Sequence, residues 1–365
     1  MTRLINAAEV AQVLSMRDCI EAMAQAFAEE ARGVAANHPR QRYRVPRQLD
    51  VGQSGYWANM IAGAVPSMGV AALRYDSSIV RESERDGQRR MEFDYPSGRS
   101  WGFVLLFSLT TGEPLAIFQD FSLSPLRVGA TTGVAVRALA PANASRIGLL
   151  GSGNQAQRNL EAICLGRQVD EVRVYSPSRQ HREAFAEQMG PRLGVDVIPV
   201  DDARGLVEWA DVLMCATNSS LPVFDGDWLR PGQLVVTIAN TDHVMRRTEA
   251  DDTTMLRADV IVLNSKDTLI SNQQRELLDL IDRERFGWDK VTELGQVLIG
   301  AHPGRTSDDQ IIYYKSNTGV GIQFAAAGAL IYKACEERGL GHEIPTEWFG
   351  ADVSDWLAKG FNPAP

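Results

Sequence analysis

An α/β fold, with a doubly wound parallel sheet and a second, antiparallel sheet, is predicted by three features of the sequence. From Ile147 onward, apolar runs of strand length alternate with helical segments. A glycine-rich turn joins the first of these strands to its helix. Before Gln119 the chain reads instead as successive strands linked by short turns. At 365 residues, 44% hydrophobic and 23% charged, it is long enough for two domains, each with its own core.

Residues 6 to 31 read as two helices. Asn6 is placed to cap the first, and Cys19, Ile20, Met23, Phe27 and Ala31 recur at helical spacing. A basic strand follows, Pro39 to Arg47, with arginines at 40, 42, 44 and 47 in a chain of net charge −9. It reads either as a solvated edge strand or as one that turns an arginine inward to hold a carboxylate, for which the planar guanidinium is suited. Tyr56–Ala62 and Val70–Tyr75 are further strands, and Trp101–Leu109 with Pro114–Gln119 forms a hairpin around Thr111-Gly112. In Arg81–Glu92 eight of twelve residues are charged, which reads as a surface loop or a lid.

Pro125–Leu139 is a helix rich in small residues, including Gly129, Ala130, Thr131 and Gly133. Small side chains let another backbone or a flat ligand approach, at a cost in helix propensity. Arg127 falls in its first turn, where a cation opposes the helix dipole, and a residue that breaks a local rule is a functional candidate.

The strand Ile147–Leu150 then breaks into Gly151-x-Gly153-x-x-Ala156, and a helix begins near Asn154. Gly151 permits a tight turn, Gly153 lets the backbone approach a pyrophosphate, and Ala156 allows close helix–strand packing. The first-turn amides, including that of Gln155, face the anion. With a second strand at Glu171–Tyr175, the pattern is a Rossmann-type dinucleotide site, although a glycine-rich turn alone can be structural. An acidic residue after the second strand would bind the ribose hydroxyls of NAD. Here Ser176, Ser178 and Arg179 stand instead and suit a 2′-phosphate, so NADP is favoured, with NAD possible.

The alternation continues through helix Ser178–Met189, strand Asp196–Val200, helix Asp202–Glu208 and strands Val212–Ala216, Leu234–Ala239 and Val260–Leu263. Ligands bind at the carboxyl ends of such strands. These ends carry Thr217-Asn218 and Asn240-Thr-Asp242. Asp242 is a candidate acid/base or, more plainly, a turn or cap aspartate, and His243 beside it a loop histidine. The helix Leu294–Ile299 and the strand Gln310–Tyr314 precede a last helix, Val320–Arg338. That helix is apolar on nearly all sides and so must be buried, against the first domain or a second subunit.

Composition narrows the function. An acidic chain argues against nucleic-acid or anionic-membrane surfaces. No run approaches the ~18 apolar residues of a membrane span. The N-terminus lacks the apolar core of a signal peptide. Cys19, Cys164, Cys215 and Cys335 lie far apart, as in a cytoplasmic protein with reduced thiols, and the five histidines form no metal motif.

Taken together, Pro125-Leu-Arg127-Val-Gly-Ala-Thr-Thr-Gly133, Leu149-Leu-Gly-Ser-Gly-Asn-Gln-Ala156, Asp225-Gly-Asp-Trp-Leu-Arg-Pro-Gly232 and Thr292-Glu-Leu-Gly295 resemble the ornithine cyclodeaminase/mu-crystallin family. The resemblance implies that Arg127 binds a substrate carboxylate, with Arg42 as a second arginine (Arg40 and Arg44 are close by), and that Asp242 is the acid/base. It also implies a discontinuous substrate and dimerisation domain, 1–125 plus 318–365, around a nucleotide domain, 126–317, in a homodimer. The family usually carries a lysine where this chain has Ala71. Arg74, three residues on, is the nearest cation, and in a regular strand it faces the other way. The expected function is NAD(P)-dependent oxidoreduction at the C–N bond of a small amino or imino acid. The alternatives are an NAD-retaining cyclodeaminase and a non-catalytic nucleotide-binding subunit.

Overall fold

The computed structural model describes residues 1–46, 48–85, 88–240, 247–317 and 319–354, with the backbone alone at 85 and 88–90. Strand β1 (Thr2–Ile5) runs into a capping box. Asn6 Oδ1 accepts the Ala8 and Glu9 N–H groups, and the Glu9 carboxylate accepts that of Asn6, which starts α1 (Ala7–Val13). Ser15 caps α2 (Met16–Ala31), whose stripe of Cys19, Ile20, Met23 and Phe27 is buried.

The strands β2 (Ala36–Val45), β3 (Ser54–Val65), β4 (Val70–Arg85), β5 (Gln88–Asp94), β6 (Trp101–Ser108) and β7 (Pro114–Gln119) follow. With β1 and the late strand β16 (His342–Ile344) they form one sheet, ordered β16-β1-β7-β6-β4-β3-β2, with β5 on β4. It is antiparallel except where β1 joins β7 in parallel.

Within the charged segment 81–92, the described residues 81–85 and 88–92 are strand rather than loop. Strand β4 continues through it to Arg85 and pairs with β5, Arg81 opposite Glu92. Two of its charges are met by other strands: Arg81 pairs with Asp94 at 3.0 Å and Glu82 with Arg44 at 2.6 Å. Between these pairs Val80, Met91, Trp57 and Leu49 build a small core of their own. Cross-strand ion pairs thus carry a strand whose composition reads as loop.

Helix α3 (Leu123–Leu139) begins two residues before the expected start, so Arg127 opens its second turn rather than closing its first. It leads into eight parallel strands: β8 (Arg146–Leu150), β9 (Glu171–Tyr175), β10 (Asp196–Pro199), β11 (Val212–Cys215), β12 (Leu234–Thr237), β13 (Val260–Leu263), β14 (Val291–Glu293) and β15 (Ile312–Lys315). Their order is β10-β9-β8-β11-β12-β15-β13-β14. Strands β11, β12 and β15 are buried at every position, as expected where helices cover both faces. Those helices are α4 (Asn154–Gly166), α5 (Arg179–Leu193), α6 (Ala203–Trp209), α7 (Asp252–Arg257), α8 (Lys266–Ser271), α9 (Arg275–Asp282) and α10 (Leu294–Leu298).

Helix α3 ties the two sheets together, packing on α2, α4 and α11 (Ile322–Arg338). The small residues serve that contact: a Cβ at Gly129 would stand 2.5 Å from the Arg158 carbonyl of α4. Apolar α11 lies against β3, β4, β6 and α2, so its burial is met within the chain. No described helix is long and apolar enough to cross a membrane.

Candidate active site

At the end of β8 the backbone turns through Gly151 with φ +113°, and a Cβ there would collide with the Ala216 carbonyl oxygen at the end of β11. Only glycine fits. Gly153 is the N-cap of α4; it makes no side-chain cap bond, and nothing lies within 4 Å of where its Cβ would be. The amides of Asn154, Gln155 and Ala156 belong to the first turn of a helix, where they have no intrahelical acceptor, while the Ala156 methyl is fully buried. This cradle fits a pyrophosphate.

Beyond β9, Ser152 Oγ donates to Ser176 Oγ at 3.0 Å, and Ser176 Oγ to the Ser178 carbonyl at 3.2 Å. Ser178 caps α5 by accepting the His181 N–H. Arg179 is exposed and pairs with Glu183 at 2.7 Å. Arg182, which sequence reasoning missed, is buried and donates to the Ser176 carbonyl at 2.8 Å, bracing the turn from below.

The ends of β11 and β12 are held by another residue not anticipated, Glu249, which is 1% exposed. Its Oε1 accepts the Thr217 N–H at 2.5 Å, and its Oε2 accepts those of Ile238 and Ala239 at 2.8 Å each. Burial raises its pKa against these bonds. Thr217 Oγ1 accepts the Ser219 N–H, Asn218 is exposed, and Asn240 donates to the Ile238 carbonyl. Arg40, Arg42, Val128, Gln155, Thr217 and Asn240 enclose a cavity of about 170 Å³ where the two sheets meet. Asp242 and His243 lie outside the described residues.

Arg127 projects from α3 and is 5% exposed. Its Nη1 donates to Gln323 Oε1 of α11 at 2.5 Å; Gln323 Nε2 donates to Thr131 Oγ1 at 2.7 Å, and Thr131 Oγ1 to the Arg127 carbonyl at 2.9 Å. The ring closes across two helices and commits Thr131, expected among the cofactor contacts, to orienting Arg127. The guanidinium carbon lies 4.8 Å from the centroid of Phe324. Arg127 Nε is buried and has no hydrogen-bond partner among the described residues. Burial and then the charge of Arg74 pull its pKa from the usual arginine range to about 9.

Arg74 reaches the same ring from β4, at 5.5 Å. The β4 register against β3 and β6 is regular, so Ala71 and Arg74 do face opposite ways. It is the Arg74 face, with Val70, Ala72 and Asp76, that is buried. Arg74 Nε donates to Asp120 at 2.6 Å and its Nη2 lies 3.3 Å from Asp76. Burial opposes its charge, but Asp120 and Asp76 raise its pKa overall. Asp76 in turn accepts from Asn59 at 2.9 Å, and Asn59 Oδ1 accepts Arg42 Nε–H at 2.5 Å. One chain of polar contacts therefore runs Arg42–Asn59–Asp76–Arg74–Asp120. Arg42 lines the cavity itself; Arg127 does not, although its neighbour Val128 does, and it meets Arg74 over the Phe324 ring.

These features can be weighed against known proteins. The ornithine cyclodeaminase/mu-crystallin family matches residues 1–339. The chain belongs to that family. A Delta(1)-pyrroline-2-carboxylate reductase of Bacillus cereus is 29% identical over 271 residues, 73% of this chain and 78% of its own length. An NAD(P)H-dependent anabolic L-arginine dehydrogenase of Pseudomonas aeruginosa is 28% identical over 336 residues, 90% and 96% of the two chains. The structure of Thermococcus litoralis Delta(1)-pyrroline-2-carboxylate reductase with NADH and L-proline matches with a TM-score of 0.80 at 24% identity, covering 94% of this chain and 100% of that one. That likeness establishes the α/β fold. On the strand where the resemblance led to the expectation of a lysine, this chain has Ala71 on one face and Arg74 on the buried face.

Proposed function

We propose that the protein is an NAD(P)-dependent oxidoreductase that reduces the C=N bond of a small imino acid, or oxidises the corresponding amino acid. The observation that carries this reading is Arg127, a buried guanidinium whose Nε has no hydrogen-bond partner among the described residues, while Asp120, the carboxylate whose charge it feels, is held by Arg74. A substrate carboxylate completes both its charge and its hydrogen bonding. The bound nicotinamide nucleotide supplies or accepts the hydride. Arg127 and Arg42 orient the carboxylate, Arg74 adds positive potential at the same junction, and Asp242 delivers the proton to the imine nitrogen. The charge of Arg74 supports catalysis over the role of a silent nucleotide-binding subunit. We assign nucleotide binding to residues 126–317 and substrate and dimer contacts to 1–125 with 318–365.

The test is NAD(P)H oxidation by purified protein with cyclic imino acids, and with 2-oxo acids plus ammonia or methylamine. Turnover with one of these is expected. Ammonia release from ornithine without net cofactor oxidation would move the reading to the cyclodeaminase. With Ser176, Ser178 and Arg179 in place of a carboxylate, NADPH is the favoured donor; Arg179→Ala should raise the KM for NADPH by about 10-fold and leave that for NADH unchanged. Equal effects on the two would remove Arg179 from the cofactor site.

The outer face of the antiparallel sheet supports a homodimer. Strand β6 buries Gly102, Val104 and Leu106 on one side, yet carries Trp101, Phe103, Leu105 and Phe107 on the other. Trp101, Phe103, Phe121 and Leu4 line a groove of about 1220 Å³ there. A solvated sheet face is ordinarily polar, so a second copy is the expected cover. The Trp101→Glu/Phe103→Glu variant should be monomeric by light scattering with an unchanged circular dichroism spectrum; a dimer of wild-type mass would place the interface elsewhere.

A further inference from the structure

Lys315 ends β15, between β12 and β13, with its side chain 1% exposed. Its Nζ donates to the Ala239 carbonyl and forms an ion pair of 2.5 Å with Glu276 of α9, itself 7% exposed. Glu249 accepts the N–H of that same Ala239. Both polar groups of one residue are thus gripped by buried charged side chains from different parts of the fold. Ala239 and its neighbour Asn240 line the cavity at the sheet junction. Burial opposes the ammonium, but Glu276, Tyr313 and Glu249 hold its pKa above the ordinary lysine value, so the grip stays charged across the working pH range. A buried ion pair is seldom the most stable way to fill a core, because apolar residues of similar volume do as well or better. What an apolar residue cannot do is hold a carbonyl oxygen in place.

We propose that Lys315, with Glu276 as its counter-ion, is a positioning residue for the reaction: opposite Glu249, it fixes the Ala239–Asn240 backbone that borders the cavity and from which the chain continues to Asp242. This rests on the reading of Asp242 as the acid/base. Lys315 acts through Ala239 and touches neither substrate nor nucleotide.

The experiment compares wild type, Lys315→Met and Lys315→Met/Glu276→Met for melting temperature, kcat, KM and NADPH affinity by fluorescence titration. The single variant leaves Glu276 buried without its lysine and should melt well below wild type. The double variant removes both charges and should recover most of that loss. Its kcat should nevertheless stay down by ~30-fold or more while the KM for the imino acid changes by less than about 3-fold, because a displaced acid slows chemistry more than binding. A kcat that recovers along with the melting temperature would make the pair purely structural and overturn the proposal. If wild type binds NADPH but turns over no imino acid, the functional reading fails by itself. The grip is then read from NADPH affinity, expected to weaken at least ~3-fold in the double variant because Gln155 and Thr217 share the cavity. Wild-type affinity there would overturn it.

Discussion

Arg127→Met should lower kcat/KM for the imino acid by ~100- to 1000-fold, mostly through KM, since removing one partner of a buried charge pair costs about 2–5 kcal/mol. The same change should leave the fold nearly as stable as before. In the free protein the guanidinium is buried against Phe324 with its Nε unpaired, and Arg74 adds a second cation nearby. Its pKa is depressed from the usual arginine range to about 9. A cation whose folded pKa is lowered destabilises the fold wherever it is charged in both states; here that penalty is full below about pH 9 and eases as pH rises beyond it. Removing Arg127 removes the penalty but strands Gln323 Oε1, so Arg127→Met/Gln323→Leu should melt above wild type at pH 7. Loss of activity with gain of stability would mark a charge kept for its ligand. Unchanged kinetics in Arg127→Met would end its role as the carboxylate site.

What the sequence disclosed and what it withheld divide along a physical line. The glycine turn at 151–156 and the alternation after it were legible because each depends on a few neighbouring residues: a positive φ at Gly151, an open helix start at Gly153, apolar runs of strand length. Strand parity was equally local, and it correctly set Ala71 and Arg74 on opposite faces. Which face turns inward was not local. It depends on α11, some 250 residues later in the chain, lying on β4 and bringing Phe324 over Arg74. Gln323 could be suspected as a polar residue in an apolar helix, but its bond to Arg127 spans 196 positions. Lys315 likewise acts on Ala239, 76 positions earlier, and Glu249 on Thr217, 32 positions earlier. The segment 81–92 failed for the opposite reason: its composition is local and misleading, because Glu82 is answered by Arg44 of β2 and Arg81 by Asp94 of β5. Helices α7, α8 and α9, of six to eight residues each, are too short for periodicity to announce.

The two glycines of the nucleotide turn give a second large effect that separates ligand from fold. Gly153 has φ −90°, which any residue adopts, and no atom stands within 4 Å of a Cβ placed there. Gly153→Ala should therefore cost less than ~1 kcal/mol of stability, as for an unstrained surface change. The methyl would nevertheless stand at the helix start beside the amides of Asn154 and Gln155, so the Kd for NADPH should rise by ~100-fold, the loss of about 2.7 kcal/mol of anion contacts. Gly151→Ala meets a different fate. It strains a φ of +113° and drives a methyl into the Ala216 carbonyl, so β8 and β11 must part, and both melting temperature and affinity should fall. Calorimetry and nucleotide titration on the pair read the two effects apart. If Gly153→Ala bound NADPH as wild type does, the phosphates would not sit on this helix, and dinucleotide binding at the β8 turn would have to be abandoned whatever Gly151→Ala did.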